Sequence, residues 1–402
     1  MKKNIITFLL LFASINLFAQ NEIDSNLYKK ALNLLDRTLS IDSHSDTPLR
    51  LQDSTFDLGK RNERGCFDIP RMIEGKLSVE FFAIFVANGR EKENPSQLAF
   101  EYIENVYKAI NKYNNIVSLA FSTKDVKRLY KEGKKIICLG MENGLPIEDD
   151  FGNLEMFYNL GIRYITLTHS RNNSICDSST DTTETWGGLS PFGKKLVQKM
   201  NEMGIMVDVS HISDKSFWDV IKISKAPIIA SHSCCRALSS NPRNLTDDMI
   251  KALAKNGGVL QLNFYPAYLD EEYEKKANEY YKNISVLLDS LRNLYKNDQK
   301  KLREEMLKLR KIFPLPESVN VERLIDHIDH IVKLVGVDYV GIGSDFDGLS
   351  VFPKGLEDVS KLPIITYHLL KRGYSEKDIK KILGGNFMRV WENVERVALS
   401  RK

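Results

Sequence analysis

Apolar and polar positions along this chain follow two periods in turn. Eight short runs are rich in Ile, Val, Leu and Phe: 39–46, 79–87, 135–142, 163–169, 205–211, 227–232, 258–265 and 339–345. Several are continuously apolar, which suits strands buried on both faces of a parallel sheet. Between them apolar residues recur every three or four positions, as in LVQKMNEMG (196–204) and DDMIKALAKNGG (247–258). Gly204 and Gly257 are credible helix stops there. Eight strand-like runs separated by helical segments predict an α/β fold, a (β/α)8 TIM barrel. A doubly wound dinucleotide-binding sheet would need a glycine-rich phosphate turn after its first strand, and SIDSHSDTP has none. No Pro-, Ser- or Gly-rich tract interrupts the series, so a single domain over 20–402 is expected. The stretch 269–320 is longer and more charged than its neighbours, and reads as a helical insertion before the last strand.

The ends of the runs carry the chemistry. Four of the seven histidines, His44, His169, His211 and His232, close a strand-like run, and the last run closes on Asp345 in GSDFDG. Catalytic groups of such barrels sit at the C-terminal ends of the strands. The other histidines, His327, His330 and His368, lie in segments of helical period. In HSD (44–46), residues i and i+2 of an extended segment point the same way, so His44 and Asp46 converge. HxD alone is a weak signal. Glu142, in MENG, ends another apolar run, where a carboxylate can bridge two cations; its plainer reading is a surface acid.

Counting these groups favours two ions. His44, Asp46, Glu142, His211 and His232 exceed the needs of one tetrahedral catalytic zinc. Sharing Glu142 gives one set His44/Asp46/Glu142 and another Glu142/His211/His232, with room for a bridging hydroxide. Two ions roughly 3.5–4 Å apart would acidify that water and polarise a carbonyl together. Nitrogen and oxygen ligands without thiolate favour Zn2+, with manganese or cobalt as alternatives.

Composition narrows the partners. Hydrophobic residues make up 43% and charged residues 27%, ordinary for a globular protein. The formal charge is +4, and two of the lysines belong to the N-terminal leader. That balance gives no reason to expect nucleic acid. MKKNIITFLLLFASINLFAQ has two lysines, an apolar stretch over 5–12 and a small residue at Ala19. It matches a secretory signal peptide over 1–19, cleaved near Ala19–Gln20. The stretch falls short of the roughly 20 residues a span requires, so no stable membrane anchor is expected, and the protein should be exported, to a bacterial periplasm or beyond. Five cysteines, two of them the vicinal pair Cys234 and Cys235, do not form a disulfide framework.

Taken in order, HSD (44–46), MENG (141–144), LTHS (167–170), VSHIS (209–213), SHS (231–233), NPRN (241–244) and GIGSDFDG (341–348) resemble the membrane (renal) dipeptidase family of dinuclear zinc peptidases. FDIPRMIEGKLSVEFFAIFV (67–86) and GGNFMRV (384–390) are similar to it as well. The resemblance covers nearly all of the chain after the leader, and it implies a barrel that hydrolyses dipeptides. Two zinc ions would be held by His44, Asp46, Glu142, His211 and His232, with Glu142 shared. His169 would bind substrate and stabilise the oxyanion. Arg243 would clamp the terminal carboxylate, and Asp345 would carry the proton, a role Asp347 in the same turn could share. A homodimer is also implied. The chain departs from many relatives at SDTPLR, where an aromatic often follows the proline, and at Cys234 and Cys235, where small residues are expected.

Other metal-dependent barrel hydrolases, acting on lactones, N-acyl amino acids or β-lactams, are the nearest rivals. Those generally begin with HxH and often bridge their metals with a carboxylated lysine. A non-catalytic relative would show a broken ligand set, and all five ligand residues and Asp345 are present.

Overall fold

The computed structural model describes residues 23–296 and 298–400. The leader therefore lies outside the described residues. Nine parallel strands form one sheet: β1 (Ile41–Ser45), β2 (Val79–Phe85), β3 (Val117–Leu119), β4 (Lys135–Glu142), β5 (Ile162–Thr166), β6 (Met206–Asp208), β7 (Ile229–Ser233), β8 (Val259–Leu262) and β9 (Val340–Ile342). Eight of them follow in the order β1-β2-β4-β5-β6-β7-β8-β9. Each overlaps one of the eight runs read from the sequence and extends past it by at most one residue. The addition is β3, three residues long, which lies outside that path and pairs only with β4.

The ring closes between β1 and the turn after β9. The Asp46 amide donates to Phe346 O at 2.8 Å, and the Asp345 amide to His44 O at 3.0 Å. Asp42 Oδ1 receives the Ser344 amide at 2.8 Å. The closing backbone hydrogen bonds thus run through His44, Asp46 and Asp345 themselves. Helices wrap the strands as expected for a (β/α)8 TIM barrel. Those after β5, β6 and β7 begin on side-chain caps. Ser190 caps Pro191–Met203, Ser213 caps Asp214–Ile223 and Thr246 caps Asp247–Lys255. Each cap oxygen satisfies an amide that the first helical turn leaves free.

Two packing layers hold the barrel. The larger lies between strands and helices, where Phe82, Ile84, Ile137, Leu139, Met141 and Ile165 are buried. The smaller fills the lower, N-terminal half of the barrel. There Ile41, Phe81, Ile136, Tyr164 and Met206 pack against Phe387 and Trp391 of the last helix, Asn386–Leu399. The Phe81 ring meets Phe387 at 5.1 Å and Trp391 at 5.4 Å, both edge to face. A side chain at Gly140 would overlap the Tyr164 ring, so this glycine lets that phenol reach the barrel axis.

Between β8 and β9 stand two long helices, Glu271–Leu294 and Gln299–Ile312. Ile284, Leu288 and Leu309 form a small core of their own between them. Among the described residues no helix is long and apolar enough to cross a membrane.

Candidate metal centre

The upper half of the barrel interior reverses the chemistry of the lower half. Strand positions that carry Ile41, Ile136 and Tyr164 below give way to His44, Glu142 and Thr166 above. His44, Asp46, Glu142, His211 and His232 all converge there, with His169, Arg243 and Asp345 around them. Glu142 closes β4, His44 and His232 each stand one residue before the end of β1 and β7, and His211 follows β6 by three residues. His169 follows β5, and Asp345 follows β9. Several of these backbones are strained: His211 has φ of 71°, Asp345 64° and Asp347 68°. Non-glycine residues adopt such angles at an energetic cost, and they cluster at functional sites.

Glu142 is the hub. Its Oε2 lies 3.5 Å from His44 Nε2. Its Oε1 lies 3.0 Å from His211 Nε2, 3.4 Å from His232 Nε2 and 3.6 Å from His169 Nε2. The two oxygens thus face different imidazoles. His44 Nε2 also sits 3.8 Å from Asp46 Oδ2. Three groups of three each keep their ligand atoms within 4.8 Å of one another: His44/Glu142/His232, Glu142/His169/His211 and His44/Asp46/Asp345. These groups bring His169 and Asp345 as close to the cluster as the five expected ligands.

The donor set fits divalent cations. His44 Nε2 and Asp46 Oδ1 are buried without a hydrogen-bond partner. His211 Nε2 and His232 Nε2 face each other at 2.8 Å. Lone pairs that converge in a dry pocket are stable only when positive charge lies among them. Gly348 completes the hollow, since any Cβ there would overlap Asp46 Oδ2 and Asp345 Oδ1.

Electrostatics agree. Burial opposes charge on Glu142, yet the His44 and His169 imidazoles, with His211 and His232 beside its Oε1, hold it well below the usual carboxylate range. Burial, with the nearby Arg243 charge, keeps His211 well below its ordinary value. Burial, with His44 beside it, does the same for His232. Neutral imidazoles of this kind are metal ligands. Burial also opposes charge on His44, but Glu142, Asp46 and Asp345 outweigh it and push His44 up to about 10. Burial and the Glu142 charge raise Asp46 well above its ordinary value. The centre draws in positive charge.

A cavity of about 400 Å³ opens onto this cluster. Asp46, Glu142, His169, His211, Arg243 and Asp345 line it, together with Leu49, Phe85, Tyr268 and Leu349. Arg243 is 4% exposed, and its guanidinium lies 5.3 Å from the centre of the Tyr268 ring. Its Nη2 donates to His232 O at 3.2 Å, while its buried Nε has no partner. Asp345 Oδ2 accepts from Asn263 Nδ2 at 2.9 Å. Asp347, the alternative to Asp345, is otherwise engaged. It accepts from Arg50 Nε at 3.1 Å, the Cys66 amide at 2.9 Å and Thr47 Oγ1 at 2.8 Å. That network ties the turn after β9 to the start of the barrel.

Sequence reasoning passed over Asn263, Phe85 and Leu349, on loops and a strand end, and Tyr268, in the short helix Pro266–Leu269, single residues with no pattern to mark them. Cys234 and Cys235 do not line the cavity. Both are buried beside it, and Cys234 Sγ lies 3.3 Å from Asn263 O. All five cysteines are free. His327, His330 and His368 lie in helices outside the barrel.

A parallel barrel with a buried histidine–carboxylate cluster at its C-terminal mouth defines a metallohydrolase. A sequence profile of the membrane dipeptidase family, peptidase family M19, matches residues 28–402. Dipeptidase verJ of Clonostachys rogersoniana is 32% identical, covering 94% of this chain and 90% of its own length. Dipeptidase 3 of Mus musculus is 30% identical, covering 93% of this chain and 68% of its own. Among solved structures, the probable dipeptidase PvdM of Pseudomonas aeruginosa superposes with a TM-score of 0.80 at 31% identity, over 93% of this chain and 100% of that one. A metallopeptidase of Rhodobacter sphaeroides, liganded with a phosphinate mimic of L-Ala-D-Ala, gives 0.73 at 25% identity, over 89% and 99%. The chain belongs to the membrane dipeptidase family, and is a metallopeptidase that hydrolyses peptide bonds.

Proposed function

We propose that this chain is a two-zinc dipeptidase in which Glu142 bridges the ions. The observation that carries this reading is the division of the Glu142 carboxylate, Oε2 toward His44 and Oε1 toward His211 and His232. His44, Asp46 and Glu142 would hold one ion, and Glu142, His211 and His232 the other. Nitrogen and oxygen donors without thiolate suit zinc. Bound divalent ions would supply acidified water and polarise the scissile carbonyl.

The remaining work falls to side chains of the cavity. Arg243, fixed against Tyr268 and the His232 carbonyl, offers its guanidinium fork to the substrate's C-terminal carboxylate. Burial holds His169 neutral, below its ordinary value, so its N–H can donate to the oxygen on which charge develops. Asp345 is raised by burial and the Glu142 charge, and its carboxyl is oriented by Asn263. It would take a proton from the attacking water and return it to the leaving amine. The apolar wall of Leu49, Phe85 and Leu349 would receive the dipeptide's side chains.

Metal analysis beside a panel of L,L and L,D dipeptides tests this reading. About two zinc per chain and cleavage only of substrates with a free C-terminal carboxylate are expected. Asp345→Asn should keep both ions while turnover falls; loss of zinc with it would place Asp345 among the ligands. The leader further indicates an exported protein, testable by fractionating cells that express the full chain. The family resemblance points to a homodimer, which light scattering on the purified protein would check.

A further inference from the structure

The imidazoles of the centre differ in what stands behind them. A metal-binding histidine presents the lone pair of one nitrogen, and the group bonded to its other nitrogen fixes which one is free. His211 Nδ1 is buried without a partner. His44 Nδ1 meets the Tyr164 hydroxyl at 2.8 Å, and a phenol can give or accept that hydrogen bond. His232 alone has its choice made for it. Its Nδ1 lies 2.8 Å from Ser231 Oγ, and Ser231 Oγ donates to Asp208 Oδ2 at 2.6 Å.

Asp208, fully buried at the end of β6, is surrounded by donors. Oδ1 accepts the amides of Ser210 at 3.0 Å and Ser231 at 2.8 Å. Oδ2 accepts the hydroxyls of Ser231 and Thr166. With its proton committed to Asp208, Ser231 Oγ can only accept from His232. The hydrogen on His232 then sits on Nδ1, and Nε2 turns its lone pair toward Glu142 and His211.

We propose that Asp208 and Ser231 form a relay of positioning residues that presets His232 Nε2 as a metal ligand, so that the ion at Glu142/His211/His232 depends on this relay and the ion at His44/Asp46 does not. This inference rests on the two-zinc reading above. Outer partners of this kind typically contribute 10- to 100-fold in metal affinity. The relay also explains why the sequence places a serine before this histidine and an acid in the neighbouring strand.

Zinc titration against a chromophoric chelator at fixed pH, on the full chain, tests the relay. Ser231→Ala should weaken one of the two ions about 10- to 100-fold and leave the other unchanged. Ser231→Thr, which restores a hydroxyl, should recover the lost affinity. Thr166→Val removes a hydroxyl that ends on Asp208 without reaching His232, and should have a much smaller effect. Equal weakening by Thr166→Val and Ser231→Ala would make the effect one of packing and overturn the relay. A wild-type curve with two ions that superimposes on the Ser231→Ala curve overturns the relay alone. A wild-type chain that takes up no zinc overturns the two-zinc reading and the relay with it. A second measurement needs no variant to fold: 15N spectra of histidine in the metal-free wild-type protein should show His232 protonated at Nδ1, and protonation at Nε2 there would overturn the proposal.

Discussion

The two ends of this barrel are built from the same strands, yet they bury opposite kinds of side chain. Below, Ile41, Phe81, Ile136 and Met206 close on Trp391 and Phe387 of the last helix, an apolar plug whose loss removes packing alone. Above, His44, Glu142, Asp208 and His232 are equally buried but polar, and each needs a partner or an ion. Burying apolar surface stabilises the fold, whereas burying polar groups costs free energy unless it is offset. The lower end therefore holds the cylinder together while the upper end spends part of that stability on a prearranged centre. Tyr164 marks the boundary, its ring against Phe81 and its hydroxyl on His44.

The sharpest way to break this contrast is Glu142→Gln, which keeps the shape and removes the bridging charge. Zinc content should fall below one per chain, and kcat/KM should drop by about 10³-fold or more, matching the several kcal/mol a metal centre supplies. Trp391→Ala acts at the other end. It should destabilise the fold by about 3–5 kcal/mol, read by denaturant unfolding, while the protein that remains folded keeps its zinc. A metal loss that tracks the stability loss would show that the two ends are not separable.

A third test concerns the layer behind the mouth. His327, on helix Val321–Val335, accepts the Cys235 amide at 3.1 Å through Nδ1 and meets Leu269 O at 2.8 Å through Nε2. Burial lowers it to about 4. The unfolded chain protonates this histidine near pH 6.5 and the folded chain only near 4, so the unfolded state binds more protons between those values. Stability is complete above about pH 6.5 and should fall by roughly 3 kcal/mol as the pH drops to about 4. His327→Gln should flatten that part of the melting profile, and an unchanged slope would assign the acid sensitivity elsewhere. The smallest expected effect is Gly348→Ala. The new methyl displaces Asp46 and Asp345, so turnover should fall about 10²-fold with little change in melting temperature.

Most of this architecture was legible in the chain. Strand-like runs marked all eight strands of the ring, and several were continuously apolar, as suits strands covered on both faces. Histidines and acids at the ends of those runs pointed to the mouth, and the structure brings all of them together. What escaped notice has physical reasons. β3 offers three residues, too few for any period. The plug could not be foreseen, since the helical spacing of Phe387, Val390, Trp391 and Val394 gives an apolar face but not the surface it covers. Asp208 lay in plain view in IMVDVSHIS, yet one acid inside an apolar run carries no sign of the serine it holds. Tyr164 read as another strand aromatic, and only its distance to His44 shows its second contact.

The plug has a consequence for how the protein is made. Phe387 and Trp391 leave the ribosome long after β1, β2 and β4. Until then the inner faces of those strands have nothing to cover them, and β1 has no β9 to close against. Long-range closure of this kind is slow and leaves sticky intermediates exposed. Emergence of the helix Asn386–Leu399 is thus the step that turns a vulnerable open sheet into a closed barrel.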